Sequence, residues 1–108
     1  MSNCIQEVYD TIVDRRDHPV EKSYTHYLFT QGIDKILKKV GEETAETIIA
    51  AKNGCKEETV GEIADLTYHL LVMMAQQDIS PADVRAVLEE RHGKAGNLKT
   101  FKTVDKNT

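Results

Sequence analysis

The sequence predicts an all-α domain, a small bundle of four to five helices assembled as a dimer, and three observations carry that prediction. Apolar residues recur at three- and four-residue spacing in several separate segments, and no stretch alternates with the period of two that a half-buried strand requires. Breakers fall between the segments, at Asp17-His18-Pro19, Gly32, Gly54 and Ser80-Pro81. The two central segments, 33–53 and 57–77, are each long enough for five turns or more, and each carries a short carboxylate motif.

The elements follow in order. From Asn3 to about Arg16, Ile5, Val8, Tyr9, Ile12 and Val13 form one apolar face, with Ser2 or Asn3 as N-cap. Asp17-His18-Pro19 ends that helix, and the mixed segment to Gly32 reads as a loop plus a short helix capped by Ser23. The long helix 33–53 places Ile33, Ile36, Leu37 and Val40 on one stripe and ends at Gly54, a natural left-handed C-terminal residue. Gly41, inside it, hints at a closely approaching neighbour or ligand.

In the helix 57–77 the expected core stripe is Val60, Ile63, Leu66, Thr67, Leu70 and Met74. Its second half is apolar nearly all round, because Tyr68, Leu71, Val72 and Met73 add to that stripe. A helix apolar on every side is buried on every side, so a homodimer through this half is expected. Ser80-Pro81-x-Asp83 combines an N-cap, a proline at the first helical position and an acid at the third, opening a last helix that ends before Gly93. Its expected core face is Val84, Val87 and Leu88, and the polar tail 97–108 is expected to be partly disordered.

One domain accounts for 108 residues, and such a chain buries about 60–70% of its unfolded surface. With 18 acidic against 14 basic side chains, the net charge of -4 gives no field to attract nucleic acid or an anionic membrane, so no nucleic-acid partner is expected. Cys4 and Cys55 lack the spacing of a zinc site and read as free thiols. The start has no signal-peptide pattern, and the longest apolar run, Leu70 to Ala75, falls far short of the ~20 residues that cross a bilayer. No membrane segment and a cytoplasmic location are the expectations.

The carboxylate motifs read Glu42-Glu43-x-x-Glu46 and Glu62-x-x-Asp65. Residues three or four apart share a helix face, so Glu43 pairs with Glu46 and Glu62 with Asp65. In an antiparallel helix pair the four acids meet. Two unit charges ~5–6 Å apart repel by roughly 3 kcal/mol at an effective dielectric of ~20, which water and salt reduce. Such a cluster asks for a divalent cation, and carboxylates suit magnesium or manganese.

Magnesium takes its remaining contacts from water and substrate phosphates, which points to phosphoryl chemistry. Lys35, Lys38, Lys39 and Lys52 lie along the same helix within reach of such phosphates. The competing reading is a solvated face, since Lys38–Glu42 and Lys39–Glu43 have the i,i+4 spacing of ordinary surface pairs. His69 continues the Glu62 and Asp65 stripe and either touches a ligand or is a histidine satisfied by hydrogen bonds. Glu89-x-x-His92 matches half of a di-iron bundle motif, which needs two such halves, and is read as chance.

At these residues the sequence resembles the phosphoribosyl-ATP pyrophosphohydrolases of histidine biosynthesis, within the all-α NTP pyrophosphatase (MazG-like) superfamily. The superfamily motif matches Glu42, Glu43, Glu46, Glu62 and Asp65. The narrower family is carried by Ser23-Tyr24-Thr25, Leu28-Phe29, Gly32, the run Ile36 to Glu43, Ala50-Ala51-Lys52, Ala64-Asp65-Leu66 and Tyr68 to Val72, and similarity covers roughly residues 5–92. Thr44 and Thr67 depart from the small or aliphatic residues usual there, a matter of packing more than chemistry.

The resemblance implies magnesium-dependent hydrolysis of phosphoribosyl-ATP to phosphoribosyl-AMP and pyrophosphate. By position, Glu43, Glu46, Glu62 and Asp65 would be metal ligands, and Glu42 either a ligand to a second ion or a base aligning water. Lys38, Lys39 and Lys52 would contact phosphates, with Ser23 and Thr25 as further contacts on a loop that closes over the substrate. A cyclohydrolase partner would be a separate chain. Two alternatives stand beside this: a house-cleaning nucleotide pyrophosphatase of the same superfamily, and a noncatalytic helical dimer with an acidic face.

Overall fold

The structure, a computed structural model, describes residues 3–93, so the expectation for 97–108 lies outside the described residues. Within them the chain is helical throughout, with no strand: α1 (Cys4–Asp17), α2 (Tyr24–Gln31), α3 (Ile33–Asn53), α4 (Lys56–Gln76) and α5 (Pro81–Gly93). No helix among them is long and apolar enough to cross a membrane.

Local chemistry sets the boundaries. The Asn3 side chain accepts the Gln6 N–H at 3.1 Å and the Ser23 hydroxyl accepts the His26 N–H at 3.2 Å, each satisfying a donor that a helix start leaves free. At α5 the cap is reciprocal: Ser80 Oγ accepts from Asp83 N–H at 3.2 Å, and Asp83 Oδ2 accepts from Ser80 N–H at 2.9 Å. Gly54, at φ 76°, turns the chain after α3, and its left-handed conformation favours a residue without a Cβ.

That tight turn folds α4 back along α3, and the two form the most extensive helix pair. The core lies at the other end of α4, where α1 and α2 wrap it. Tyr9, Ile12, Leu28, Ile36, Leu71, Val72 and Ala75 are buried there, with Val8, Val13, Phe29, Tyr68, Met73 and Met74 packed around them. Burying one such Leu, Ile or Val stabilises by about 1.5–3 kcal/mol. The end of α4 is tied down as well: Arg16 donates to the Ala75 carbonyl at 2.7 Å, and the Tyr9 hydroxyl donates to the Ile79 carbonyl at 2.7 Å.

Helix positions match the sequence reading more closely than helix faces do. Val60 and Ile63, expected in the core of α4, are 57% and 49% exposed, while His69, Leu71, Val72 and Ala75 are buried. Only the second half of α4 is wrapped, so a stripe extrapolated along its whole length misassigns the first half. The same wrapping covers Leu71 and Val72 within one chain, which removes the reason for expecting a dimer through that half. Nor does α5 bury any residue: its apolar face of Val84, Val87 and Leu88 stays open because the helix packs chiefly against α1 alone. A Cβ built on Gly41 meets nothing within 4 Å, so the close neighbour hinted at there is absent among the described residues.

Candidate active site

The turn at Gly54 lays Glu43 and Glu46 of α3 against Glu62 and Asp65 of α4. Glu43, Glu62 and Asp65 each bring an oxygen to a cluster in which these atoms lie within 4.8 Å of one another. Glu46, on the exposed side, comes within hydrogen-bonding range of both Glu43 and Glu62. Thr47, one turn beyond Glu43, donates its hydroxyl to the Glu43 carbonyl at 2.7 Å and reaches the Glu62 carbonyl at 3.2 Å, joining the two helices at the motifs.

Burial, first, and then the negative charge of Glu46 push the Glu43 carboxyl above the usual carboxylate range, and Lys39 offsets this only in part. Glu62 is raised for the same reasons, burial and then Glu46. Glu43 Oε2 and Glu62 Oε2 are buried with no hydrogen-bond partner among the described residues. Buried polar atoms without partners are rare and costly. An acidic, oxygen-only donor set with two such atoms fits a hard divalent cation, which would contact both and offset the repulsion.

The remaining predicted residues are distributed as follows. Lys39 joins the cluster, with its ammonium 3.9 Å from Glu43 Oε1. Glu42, Lys38 and Lys52 are exposed and stand outside the carboxylate group, Lys52 about 9 Å along the helix axis from Glu46. Ser23 is engaged as the cap of α2, and Thr25 shares a hydrogen bond with the Tyr68 hydroxyl. His69 is buried and bonded at both ring nitrogens, Nδ1 to the Asp65 carbonyl at 2.7 Å and Nε2 to the Tyr24 hydroxyl at 2.9 Å. It is the histidine satisfied by hydrogen bonds.

Sequence reasoning assigned no site role to Thr47 or Tyr24. Thr47 was detectable as a hydroxyl four residues after Glu43, the spacing of a bond back to a helix carbonyl. Tyr24 follows the cap of α2, and no periodicity says that α2 will start beside His69. A cleft of about 380 Å³ also opens next to the cluster, lined by Glu46, Ile49, Ala50, Asn53, Glu58 and Glu62. Asn53 and Glu58 entered it because the α3–α4 turn is so short.

A sequence-family model described as phosphoribosyl-ATP pyrophosphohydrolase matches residues 5–92, the span that contains the clustered acids Glu43, Glu62 and Asp65 and their neighbour Glu46. The chain belongs to this family. Among phosphoribosyl-ATP pyrophosphatases, that of Listeria welshimeri is 52% identical over 101 residues, covering 94% of this chain and 97% of the relative. That of Clostridium botulinum is 50% identical over 106 residues, 97% of this chain and 96% of the relative. The histidine biosynthesis bifunctional protein HisIE of Lactococcus lactis is 57% identical over 102 residues, and there the chain spans 48% of the relative's length. The phosphoribosyl-ATP pyrophosphohydrolase family thus accounts for the helical motif pair that the structure assembles.

The raised carboxyls make stability depend on pH. Glu43 and Glu62 hold protons more tightly folded than unfolded, so their contribution is full below the ordinary value of 4.5 and lost as pH rises through the raised folded values. In chelator, the melting temperature should therefore carry a component that declines as pH rises above 4.5, and Glu43→Gln should weaken it. Melting curves across that range test this; an identical pH slope in wild type and variant would contradict the electrostatic account.

Proposed function

We propose that this chain hydrolyses the triphosphate of phosphoribosyl-ATP, giving phosphoribosyl-AMP and pyrophosphate, with magnesium, or manganese in its place, held by Glu43, Glu46, Glu62 and Asp65. The observation that carries the metal assignment is the pair of buried oxygens on Glu43 and Glu62, without partners among the described residues, inside the cluster of Glu43, Glu62 and Asp65. Family membership supports the substrate. When bound, the metal supplies neutralisation of the polyphosphate and activation of water.

The chain's own residues do the rest. The α3–α4 pair fixes the four acids on two rigid helices, a more precise platform than a loop. Lys39, on the rim, contacts phosphate oxygens, and Lys38 and Lys52 extend the basic side of the same helix. Thr47 keeps the motifs in register. The expected assay outcome is magnesium-dependent pyrophosphate release, much faster from phosphoribosyl-ATP than from ATP or deoxynucleoside triphosphates and abolished by chelator. Glu46→Ala and Asp65→Ala should each lose activity by about 100-fold or more while the helical fold is retained. Equal or faster turnover of deoxynucleotides would instead favour the house-cleaning reading, and no magnesium effect on hydrolysis or melting would leave only an acidic face.

A second copy of the chain is the proposed cover for the open apolar surface. Ile48 and Ile49 on α3 are 64% and 58% exposed, and Val60 and Ile63 on α4 are 57% and 49% exposed. Val84, Val87 and Leu88 of α5 are exposed as well, so the described residues carry many large apolar side chains open to solvent. Light scattering should give the mass of a dimer for the wild type and of a monomer for Ile48→Glu with Ile63→Glu. A monomeric wild type would contradict this assembly.

A further inference from the structure

We propose that the cleft between the carboxylate cluster and the Gly54 turn holds the adenosine end of the substrate, with Asn53 reading the base and Glu58 accepting from the ribose hydroxyls. The inference rests on reading the chain as a phosphoribosyl-ATP hydrolase, and it adds where the nucleoside lies. Cleft and cluster are joined directly, because Glu62 belongs to both and its neighbour Glu46 lines the cleft as well. The other lining residues are Ile49, Ala50 and Asn53 from the end of α3 and Glu58 from the start of α4. The short turn brings these two helix ends face to face.

Size and chemistry both select a nucleoside. At about 380 Å³ the cleft stands near the lower end of the range for small-molecule sites, with room for a base and a ribose rather than for the whole substrate. Three carboxylates and no cation line it, so a phosphate is repelled there, whereas hydroxyls and an amino group find acceptors. Ile49 and Ala50 supply an apolar wall against which a flat base can pack. Among the lining residues Asn53 alone offers both a donor and an acceptor from its side chain, and such an amide pairs bidentately with the amino group and N7 of adenine. A carboxylate such as Glu58 is a common partner of ribose hydroxyls. Neither side chain is engaged in a hydrogen bond or ion pair among the described residues, so both are available to a ligand.

The order of residues along α3 matches the order of groups in the substrate. Lys39 stands one turn before Glu43, with its ammonium 3.9 Å from Glu43 Oε1. Glu43 and Glu46 follow, and Ala50 and Asn53 lie about 6 and 10 Å beyond Glu46 along the helix axis. A triphosphate laid from Lys39 to the acids therefore directs its ribose and base toward the turn, into the cleft.

Calorimetric titration in magnesium with two ligands separates the ends of the substrate: AMP carries the nucleoside, and inorganic tripolyphosphate lacks it. Asn53→Ala should weaken AMP binding about tenfold or more, raise KM for phosphoribosyl-ATP by a similar factor, and leave tripolyphosphate binding unchanged. The wild type should favour AMP over dideoxy-AMP by about tenfold, and Glu58→Ala should lose that preference. Equal weakening of AMP and tripolyphosphate by Asn53→Ala would show a disturbed turn rather than a base contact. Unchanged AMP binding in that variant, or no AMP binding by the wild type, would put the base elsewhere. Each of these results overturns the inference while sparing the hydrolase reading. A wild type that does not hydrolyse phosphoribosyl-ATP would overturn that reading and the inference with it.

Discussion

Four carboxylates on two packed helices repel one another, and the rest of the structure is arranged to hold them together regardless. The short turn at Gly54 leaves α4 no path except back along α3. The Thr47 hydroxyl joins the two backbones where the acids meet. The apolar core around Leu28, Ile36 and Val72 lies at the far end of α4, where it stabilises the hairpin without intruding on the polar cluster. Burial then lifts Glu43 and Glu62 above the usual carboxylate range and leaves an oxygen on each without a partner among the described residues. The fold thus keeps electrostatic strain in one place and concentrates its packing in another, the arrangement that the proposed cation would relieve.

The same division explains how α2 matters. It is a short helix that contributes one fully buried side chain, Leu28, to the core and is otherwise anchored to α4 through its first turn. Ser23 caps it, Tyr24 bonds to His69, and Thr25 bonds to Tyr68, so three successive residues fix where it begins. His69 is the common point: one ring nitrogen holds the backbone of Asp65 and the other holds Tyr24. The helix that carries Asp65 therefore also anchors the start of α2.

Much of this was legible in the sequence, for local reasons. Gly54 and the Ser80-Pro81-x-Asp83 cap mark boundaries that the structure keeps, because caps depend on a few adjacent atoms. The i,i+3 spacing of Glu43 with Glu46 and of Glu62 with Asp65 fixes which acids share a face, and a hairpin of the two helices brings them together. What was not legible depends on which neighbour covers which face. Val60 and Ile63 look like core on periodicity yet stay open, since no element among the described residues covers them. The surplus apolar residues Leu71 and Val72 share one core with Tyr9 and Ile12 of α1, Leu28 of α2 and Ile36 of α3, which a pattern read along α4 alone does not contain. The Tyr24–His69 bond joins residues 45 apart in the chain, and no local spacing encodes it.

The most direct test of the central claim is a calorimetric titration of the chain with magnesium, repeated with Glu62→Gln and Asp65→Asn. Saturable binding by the wild type, with protons displaced at mildly acid pH and binding lost in both variants, is the predicted result, because the metal would replace the protons that Glu43 and Glu62 hold. Binding of equal strength in wild type and both variants would contradict the account, since the cluster would then not be what holds the ion.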